Sequence, residues 1–149
     1  KGQPPGERVV QDIEVPIERT SEFVHWFLEN IPIEPIWLCP LRLRDPSPAG
    51  ADTHRPWPLY PLEPHRTYVN VGFWSAVPKR EDKPEGYANR QIEIKVSELD
   101  GHKSLYSESF YGEEEFDQLY GGEPYRLLKK RYDPGSRLLD LYSKAVKRQ

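Results

Sequence analysis

The stretch that most constrains the fold of this sequence is residues 68–77 (YVNVGFWSAV), in which apolar side chains alternate with others. Alternation of this kind is typical of a β-strand, whose successive side chains point to opposite faces of a sheet. Val69, Val71 and Phe73 form one face, the composition of a core. The other face combines an amide, a residue without a side chain and a large aromatic ring, namely Asn70, Gly72 and Trp74. Such a face is either solvated or directed at a ligand or partner.

A second strand is predicted over residues 35–44 (PIWLCPLRLR), paired with the first. The continuous apolar run in residues 36–39 is the pattern of a strand that is buried on both faces. Pro40 marks a candidate bulge, so the sequence leaves open which face Trp37 and Cys39 share. We expect these two strands to form the centre of the fold.

The remaining segments complete a recognisable order of elements. Residues 1–8 are predicted to be a lead-in, residues 9–15 a strand and residues 18–30 a helix. Residues 88–100 fit a strand or a helix, and their length favours the helix. Residues 103–108 are predicted to be the last strand, and three helices follow it.

The order strand–helix–strand–strand–helix–strand is the ferredoxin-like βαββαβ arrangement, an α+β fold. It has an antiparallel sheet with helices on one face and leaves the other face open. By alternation, the open face carries Asp12, Asn70, Gly72 and Trp74.

Composition limits the classes of function. At 149 residues the length is that of one domain, which we expect to cover residues 9–149. The net charge of −3 gives no basic field for nucleic acid. A chain with one cysteine forms no internal disulfide. No signal peptide and no membrane-length apolar run is visible, so we expect a cytoplasmic location. The sequence contains no methionine and begins with Lys1, which indicates a fragment of a longer protein.

Motifs for self-sufficient catalysis are missing from the sequence. Neither a P-loop nor a G-x-G-x-x-G motif is present, so no phosphate-binding loop is encoded. The four histidines lack the spacing of metal ligands, and we predict no metal site. Cys39 lies in an apolar strand and is interpreted as a small buried hydrophobe. Six prolines in residues 45–64 indicate an irregular excursion that packs on apolar surface.

Several stretches, taken in order, resemble a known family. They are QDIxVP at residues 11–16, WLCPLRL at 37–43, VNVG at 69–72, HKxLY at 102–106, FxxLYGG at 116–122, RYDP at 131–134 and DLYxKA at 140–145. The set resembles the C-terminal part of Δ24-sterol-reductase-like FAD-linked oxidoreductases of the vanillyl-alcohol-oxidase flavoprotein superfamily. The resemblance runs over nearly the whole chain.

The resemblance implies a cap domain that works with an FAD-binding domain placed N-terminal to it in the same polypeptide. In that arrangement the open sheet face covers the flavin ring and forms the pocket for a largely apolar, sterol- or prenyl-like substrate. A longer protein of this kind could associate with a membrane or form a homo-oligomer, and both are left open. Whether it is an oxidase, a dehydrogenase or a reductase is left open too.

The resemblance also suggests which residues face the substrate or the flavin, although it identifies no catalytic residue. Polar contacts would come from Asp12, Asn70 and Tyr106, and Lys103 would place a positive charge near the flavin unless it is a solvated lysine at the strand edge. Trp37 and Cys39 would line the pocket together with Gly72 and Trp74. The alternative is a stand-alone ferredoxin-like module that binds a small molecule or a protein; the RNA-binding version lacks a basic face.

Overall fold

The computed structural model describes residues 6–44 and 59–149. The chain divides into two compact units. The first unit comprises Lys1–Leu41 and Thr67–Phe110, and the second comprises Arg42–Arg66 and Tyr111–Gln149.

The first unit is built on a four-stranded antiparallel sheet with helices on one side. Its strands are β1 (Gly6–Pro16), β2 (Trp37–Arg42), β3 (Thr67–Pro78) and β4 (His102–Lys103), in the spatial order β2-β3-β1-β4. Helix α1 (Thr20–Asn30) follows a short 3-10 turn at Ile17–Arg19, and α2 (Tyr87–Glu98) connects β3 to β4. This order of strands and helices confirms the predicted ferredoxin-like α+β fold.

The core lies between the sheet and the two helices. Val9, Ile13 and Val15 of β1 are fully buried, as are Val71 and Phe73 of β3. Phe23 and Phe27 of α1 and Ile92 and Val96 of α2 cover them. Burying each of these side chains contributes roughly 1.5–3 kcal/mol. The periodicities of residues 9–15 and 68–77 therefore predicted the buried face of the sheet correctly.

The α2 helix is fixed to the sheet by a polar contact with β1. The Glu7 carboxylate accepts hydrogen bonds from the backbone N–H groups of Ala88 and Asn89, at 3.1 and 2.9 Å. These donors lie at the first turn of α2, where backbone N–H groups have no partner inside the helix. Fully buried Gln11 donates to the Asn89 side chain at 2.6 Å. Residues 88–98 are thus a helix, which resolves the ambiguity in favour of the prediction.

The strand at residues 35–44 departs from the prediction. It is an edge strand, β2, and Trp37 and Leu38 are 58% and 52% exposed. The apolar run did predict a strand, but an apolar run does not distinguish a central strand from an edge strand. The expectation that this strand is buried on both faces was wrong.

The ends of the sheet also differ from the predicted bounds. Strand β1 begins at Gly6, so residues 6–8 are part of the sheet. Strand β4 contains only His102–Lys103. The backbone N–H of Ser104 still donates to the Asp12 carbonyl at 2.9 Å, and beyond this residue the chain turns away from the sheet. The predicted strand over residues 103–108 is therefore mostly a loop.

The second unit contains α3 (Glu113–Leu119), α4 (Gly122–Tyr132) and α5 (Leu141–Ala145). Its core is aromatic: the rings of Phe116 and Tyr120 lie 4.8 Å apart, and those of Phe116 and Tyr142 lie 5.3 Å apart. Asp140 caps α5 by accepting from the Ser143 N–H at 2.7 Å. Leu138 precedes this cap and is 71% exposed.

Most of the proline-rich segment, residues 45–58, lies outside the described residues. In its described part Leu62 is buried, while Leu59 and Tyr60 are 44% and 46% exposed. None of the helices in the described ranges is long and apolar enough to cross a bilayer.

Candidate functional site

The sheet of the first unit presents a surface opposite α1 and α2, which we call the open face. It consists of residues from β1, β2 and β3 and from the loop after β4: Asp12, Glu14, Trp37, Asn70, Gly72, Trp74, Ser104 and Tyr106.

The centre of the open face is a row across three strands. Gly72 of β3 lies directly opposite Asp12 of β1 in the register. A Cβ atom added to Gly72 would lie 2.4 Å from Asp12 Oδ1 and 3.5 Å from Trp37 Cβ. Because Gly72 has no side chain, the Asp12 carboxylate occupies the space above it. Trp37 lies beside this space. The pairing of β1 with β3 is continuous from Gly6 to Pro16, so a bulge does not explain the glycine.

Three exposed aromatic side chains lie around Asp12 and Gly72. Trp37, Trp74 and Tyr106 are 58%, 63% and 55% exposed. The indole N–H of Trp74 donates to the Tyr106 hydroxyl at 3.3 Å. Burial, followed by a hydrogen bond to the Asp12 carboxylate, raises the pKa of Tyr106 above its ordinary value of 10.0. A cluster of exposed rings is typical of a surface that binds a ligand or partner.

The other end of the open face is polar and buried. Glu14 is 6% exposed, and its Oε1 accepts hydrogen bonds from Asn70 Nδ2 at 3.0 Å and Ser104 Oγ at 3.1 Å. Burial raises the pKa of the Glu14 carboxyl from 4.5 to about 7, and the negative charge of Asp12 adds to this increase. His102 is its register partner on β4. At neutral pH this carboxyl is therefore able to hold a proton.

Sequence reasoning missed Glu14 and Ser104. Glu14 lies two residues after Asp12, so the alternation of the strand places both side chains on the open face. Nothing in the pattern indicates that Glu14 is buried or hydrogen-bonded there. The signal that identifies it is the register, which pairs Glu14 with Asn70. Ser104 was assigned to a strand, and its contact with Glu14 depends on where β4 ends.

Lys103 does not lie on the open face. It pairs with Ile13 in the register, which directs its side chain to the helix side of the sheet. There its Nζ lies 2.9 Å from Glu93 Oε1, and both side chains are fully buried. Lys103 therefore faces neither the open face nor solvent. The expectation that it lies near a flavin and the alternative of a solvated lysine were both wrong.

The structure brings together most of the other predicted residues. Asp12, Trp37, Asn70, Gly72, Trp74 and Tyr106 all belong to the open face. Cys39, two residues beyond Trp37 on β2, is half-buried, and its Sγ lies 3.9 Å from the Pro40 carbonyl oxygen. The interpretation of Cys39 as a small buried hydrophobe was wrong, because β2 is an edge strand and leaves its side chain partly exposed.

The chemistry of the open face limits its ligands. The carboxylate of Asp12 disfavours phosphate and other anions. Within residues 6–44 and 59–149, no group of histidine, cysteine or acidic side chains is arranged to hold a metal ion. Flat aromatic surfaces suit an apolar, ring-containing molecule, and the Asp12 and Tyr106 side chains can orient a polar group on it.

Comparison with known proteins gives consistent matches to one kind of enzyme. The chain is 30% identical over 140 residues to the Delta(24)-sterol reductase of Rattus norvegicus, covering 93% of this chain and 25% of the relative. It is 28% identical over 140 residues to the human enzyme of the same name, with the same coverage of 93% and 25%. The Delta(24)-sterol reductase of Arabidopsis thaliana is 27% identical over 147 residues, which is 93% of this chain and 26% of that protein.

The chain therefore spans about a quarter of the length of the curated relatives that it matches. No protein-family model matches it. No solved structure matches it either. Over nearly its whole length, this chain is similar to about a quarter of the length of the Delta(24)-sterol reductases, in agreement with the resemblance that its motifs indicated.

Proposed function

We propose that this chain is the substrate-binding cap domain of an FAD-dependent oxidoreductase that reduces a largely apolar, sterol-like substrate. The observation that carries the proposal is the open face, where Trp37, Trp74 and Tyr106 surround Asp12 and Gly72. Its exposed rings offer apolar area to a ring system of the size of a sterol. The names of the relatives support the substrate class, because each is a Delta(24)-sterol reductase.

The flavin would be held mainly by a separate FAD-binding domain of the same polypeptide. This sequence contains no phosphate-binding motif, and the acidic residues of the open face suit a neutral ring better than a pyrophosphate. The indoles of Trp37 and Trp74 are the groups that could contact the isoalloxazine or the substrate beside it. When bound, the reduced flavin would supply a hydride to one carbon of the substrate double bond.

Reduction of a carbon–carbon double bond also consumes a proton at the second carbon. Glu14 is the carboxyl of the open face that can both hold and release a proton near neutral pH, because burial raises its pKa to about 7. Both of its hydrogen bonds from Asn70 and Ser104 end on Oε1, which leaves Oε2 as the atom to carry the proton. We propose that Glu14 is the proton reservoir of the site.

A sterol partitions into membranes, so we propose that the longer protein works at a membrane surface from the cytoplasmic side. The aromatic residues of the open face would exclude water from the reacting double bond once the substrate is bound. The carboxylate of Asp12, which raises the pKa of the neighbouring Tyr106, would orient the substrate through a polar group.

Turnover by the longer FAD-containing protein tests this proposal. We expect it to reduce a sterol with a Δ24 double bond, and to leave unchanged both the same sterol without that bond and a small sugar lactone. Tyr106→Ala should lower kcat/KM at least about tenfold, a loss of about 1.4 kcal/mol of transition-state binding.

The matched control is Tyr132→Ala, which removes a similarly exposed tyrosine from α4 of the second unit and should leave kcat/KM unchanged. Preferential turnover of the sugar lactone would overturn the proposal. Tight sterol binding by a protein that holds no flavin would support a stand-alone binding module instead.

A further inference from the structure

A buried ion pair lies beneath the loop that carries Tyr106. Lys103 Nζ and Glu93 Oε1 are 2.9 Å apart, on the helix side of the sheet, and both side chains are inaccessible to solvent. Arg90 of α2 contacts the same carboxylate at 3.3 Å. Neither residue of the pair touches the open face.

The pair is bonded to the far end of the loop formed by residues 104–110. The Lys103 ammonium donates to the Glu108 carbonyl oxygen. The Phe110 N–H donates to Glu93, at 3.0 Å to Oε1 and 3.3 Å to Oε2. The near end of the loop is held by the hydrogen bond from Ser104 N–H to the Asp12 carbonyl oxygen at 2.9 Å.

Tyr106 lies between these anchors, in a segment without helix or strand. A loop of this kind has access to many conformations, and fixing it costs roughly 1–2 kcal/mol per residue in backbone entropy. A buried ion pair often adds little net stability because both charges lose their hydration. This pair also forms hydrogen bonds with the backbone of the loop. These bonds select one loop conformation, an effect that is separate from net stability.

We propose that Glu93 and Lys103 are positioning residues, which hold the loop so that Tyr106 meets Trp74 on the open face. The consequence for substrate binding rests on the proposed function, whereas the effect on the contact between Tyr106 and Trp74 does not. The sheet separates the charges from the site, so the pair acts through the backbone of residues 104–110.

The test is the double variant Glu93→Gln/Lys103→Met, which removes both charges at similar volume and leaves no isolated buried charge. The fluorescence of Trp74 is obtained in the chain as the difference between each protein and its Trp74→Phe form. We expect acrylamide to quench this signal more strongly in the double variant, and to the same extent as in Tyr106→Phe. In the longer protein we expect KM for the sterol to rise at least about fivefold with kcat nearly unchanged.

The matched control is Glu22→Gln/Lys95→Met, which removes an ion pair of 3.2 Å between α1 and α2. It should leave the quenching of Trp74 and the KM unchanged. Equal quenching of Trp74 in the wild type and the Glu93/Lys103 variant would overturn the proposal. If the longer wild-type protein reduces no sterol, the proposed function fails, and the quenching result still decides the role of the pair.

Hydrogen exchange of the wild-type chain supplies a measurement that does not depend on a folded variant. The Phe110 amide, bonded to a buried carboxylate, should exchange as slowly as amides of β1 and β3. Exchange of that amide at the rate of an unstructured loop would overturn the proposal.

Discussion

Trp74 and Tyr106 are joined by a hydrogen bond of 3.3 Å from the indole N–H to the phenol oxygen. The two residues come from β3 and from the loop after β4, and β1 lies between these strands in the sheet. Their contact therefore bridges the open face across the row of Asp12 and Gly72. Both rings remain more than half exposed. An exposed bridge of two aromatic side chains is a ready surface for a partner or an apolar ligand.

The first prediction concerns the solvent exposure of Trp74. In the chain, acrylamide should quench Trp74 efficiently because its ring is 63% exposed. In the longer protein the flavin and its domain should cover the ring and reduce quenching several-fold. The measurement is the difference in quenching between the wild type and Trp74→Phe in each protein. Equal accessibility in both would show that no partner domain covers the open face.

The second prediction concerns Gly72. Strand propensity alone predicts that Gly72→Val leaves the chain as stable as before or more so, because valine favours strands. The structure changes this expectation, since a Cβ atom there would lie 2.4 Å from Asp12 Oδ1. The carboxylate must move, so we now expect Gly72→Val to cost about 1–3 kcal/mol in the free energy of unfolding. Urea denaturation measures this cost.

A double-mutant cycle identifies the cause of the Gly72 effect. Combined with Asp12→Ala, the change Gly72→Val should cost at least about 0.5 kcal/mol less than it does alone, because the clashing carboxylate is gone. Additive costs would mean that Asp12 does not explain the glycine. In the longer protein, Gly72→Val should also lower kcat/KM at least about tenfold.

The third prediction is the pH dependence contributed by Glu14. Its pKa is raised from 4.5 to about 7, so the folded chain binds the proton more tightly than the unfolded chain does. The stability from this group is fully present below pH 4.5 and is lost as the pH rises through 7. The loss amounts to about 3 kcal/mol as an upper bound.

Glu14→Gln, which stays neutral, should avoid this loss. We expect its free energy of unfolding to rise relative to that of the wild type between pH 4.5 and 7 and then to level off above this range. Denaturant titrations at several pH values measure the difference. Glu29→Gln, an exposed glutamate of α1, is the control and should show no such rise. A constant difference between Glu14→Gln and the wild type would show that Glu14 titrates normally.

Much of the fold could be predicted because alternation and helical spacing are local properties. Val69, Val71 and Phe73 lie in the core, and Asn70, Gly72 and Trp74 lie on the opposite face, as the pattern indicated. Edge position is a property of the whole sheet, which is why the apolar run of β2 was misread as buried.

The details of the site depend on contacts that no local pattern contains. The pair of Lys103 and Glu93 could not be predicted from spacing. The sequence pattern places Lys103 in a strand of six residues, whereas the observed strand β4 contains only two. Likewise, the space at Gly72 is filled by Asp12, whose position opposite the glycine follows from the register of β1 with β3. Glu14 gains its raised pKa from burial, which the sequence does not report.

The central claim is that the open face covers the substrate, and photoaffinity labelling of the longer protein tests it most directly. A sterol carrying a photoreactive diazirine would be irradiated in the bound state, and the labelled peptides identified by mass spectrometry. We predict labels on the segments containing Trp37, Trp74 and Tyr106, with competition by an excess of unmodified Δ24 sterol. Competed labelling confined to the outer surface of α1, near Leu28, or to Leu138 in the second unit would contradict the account.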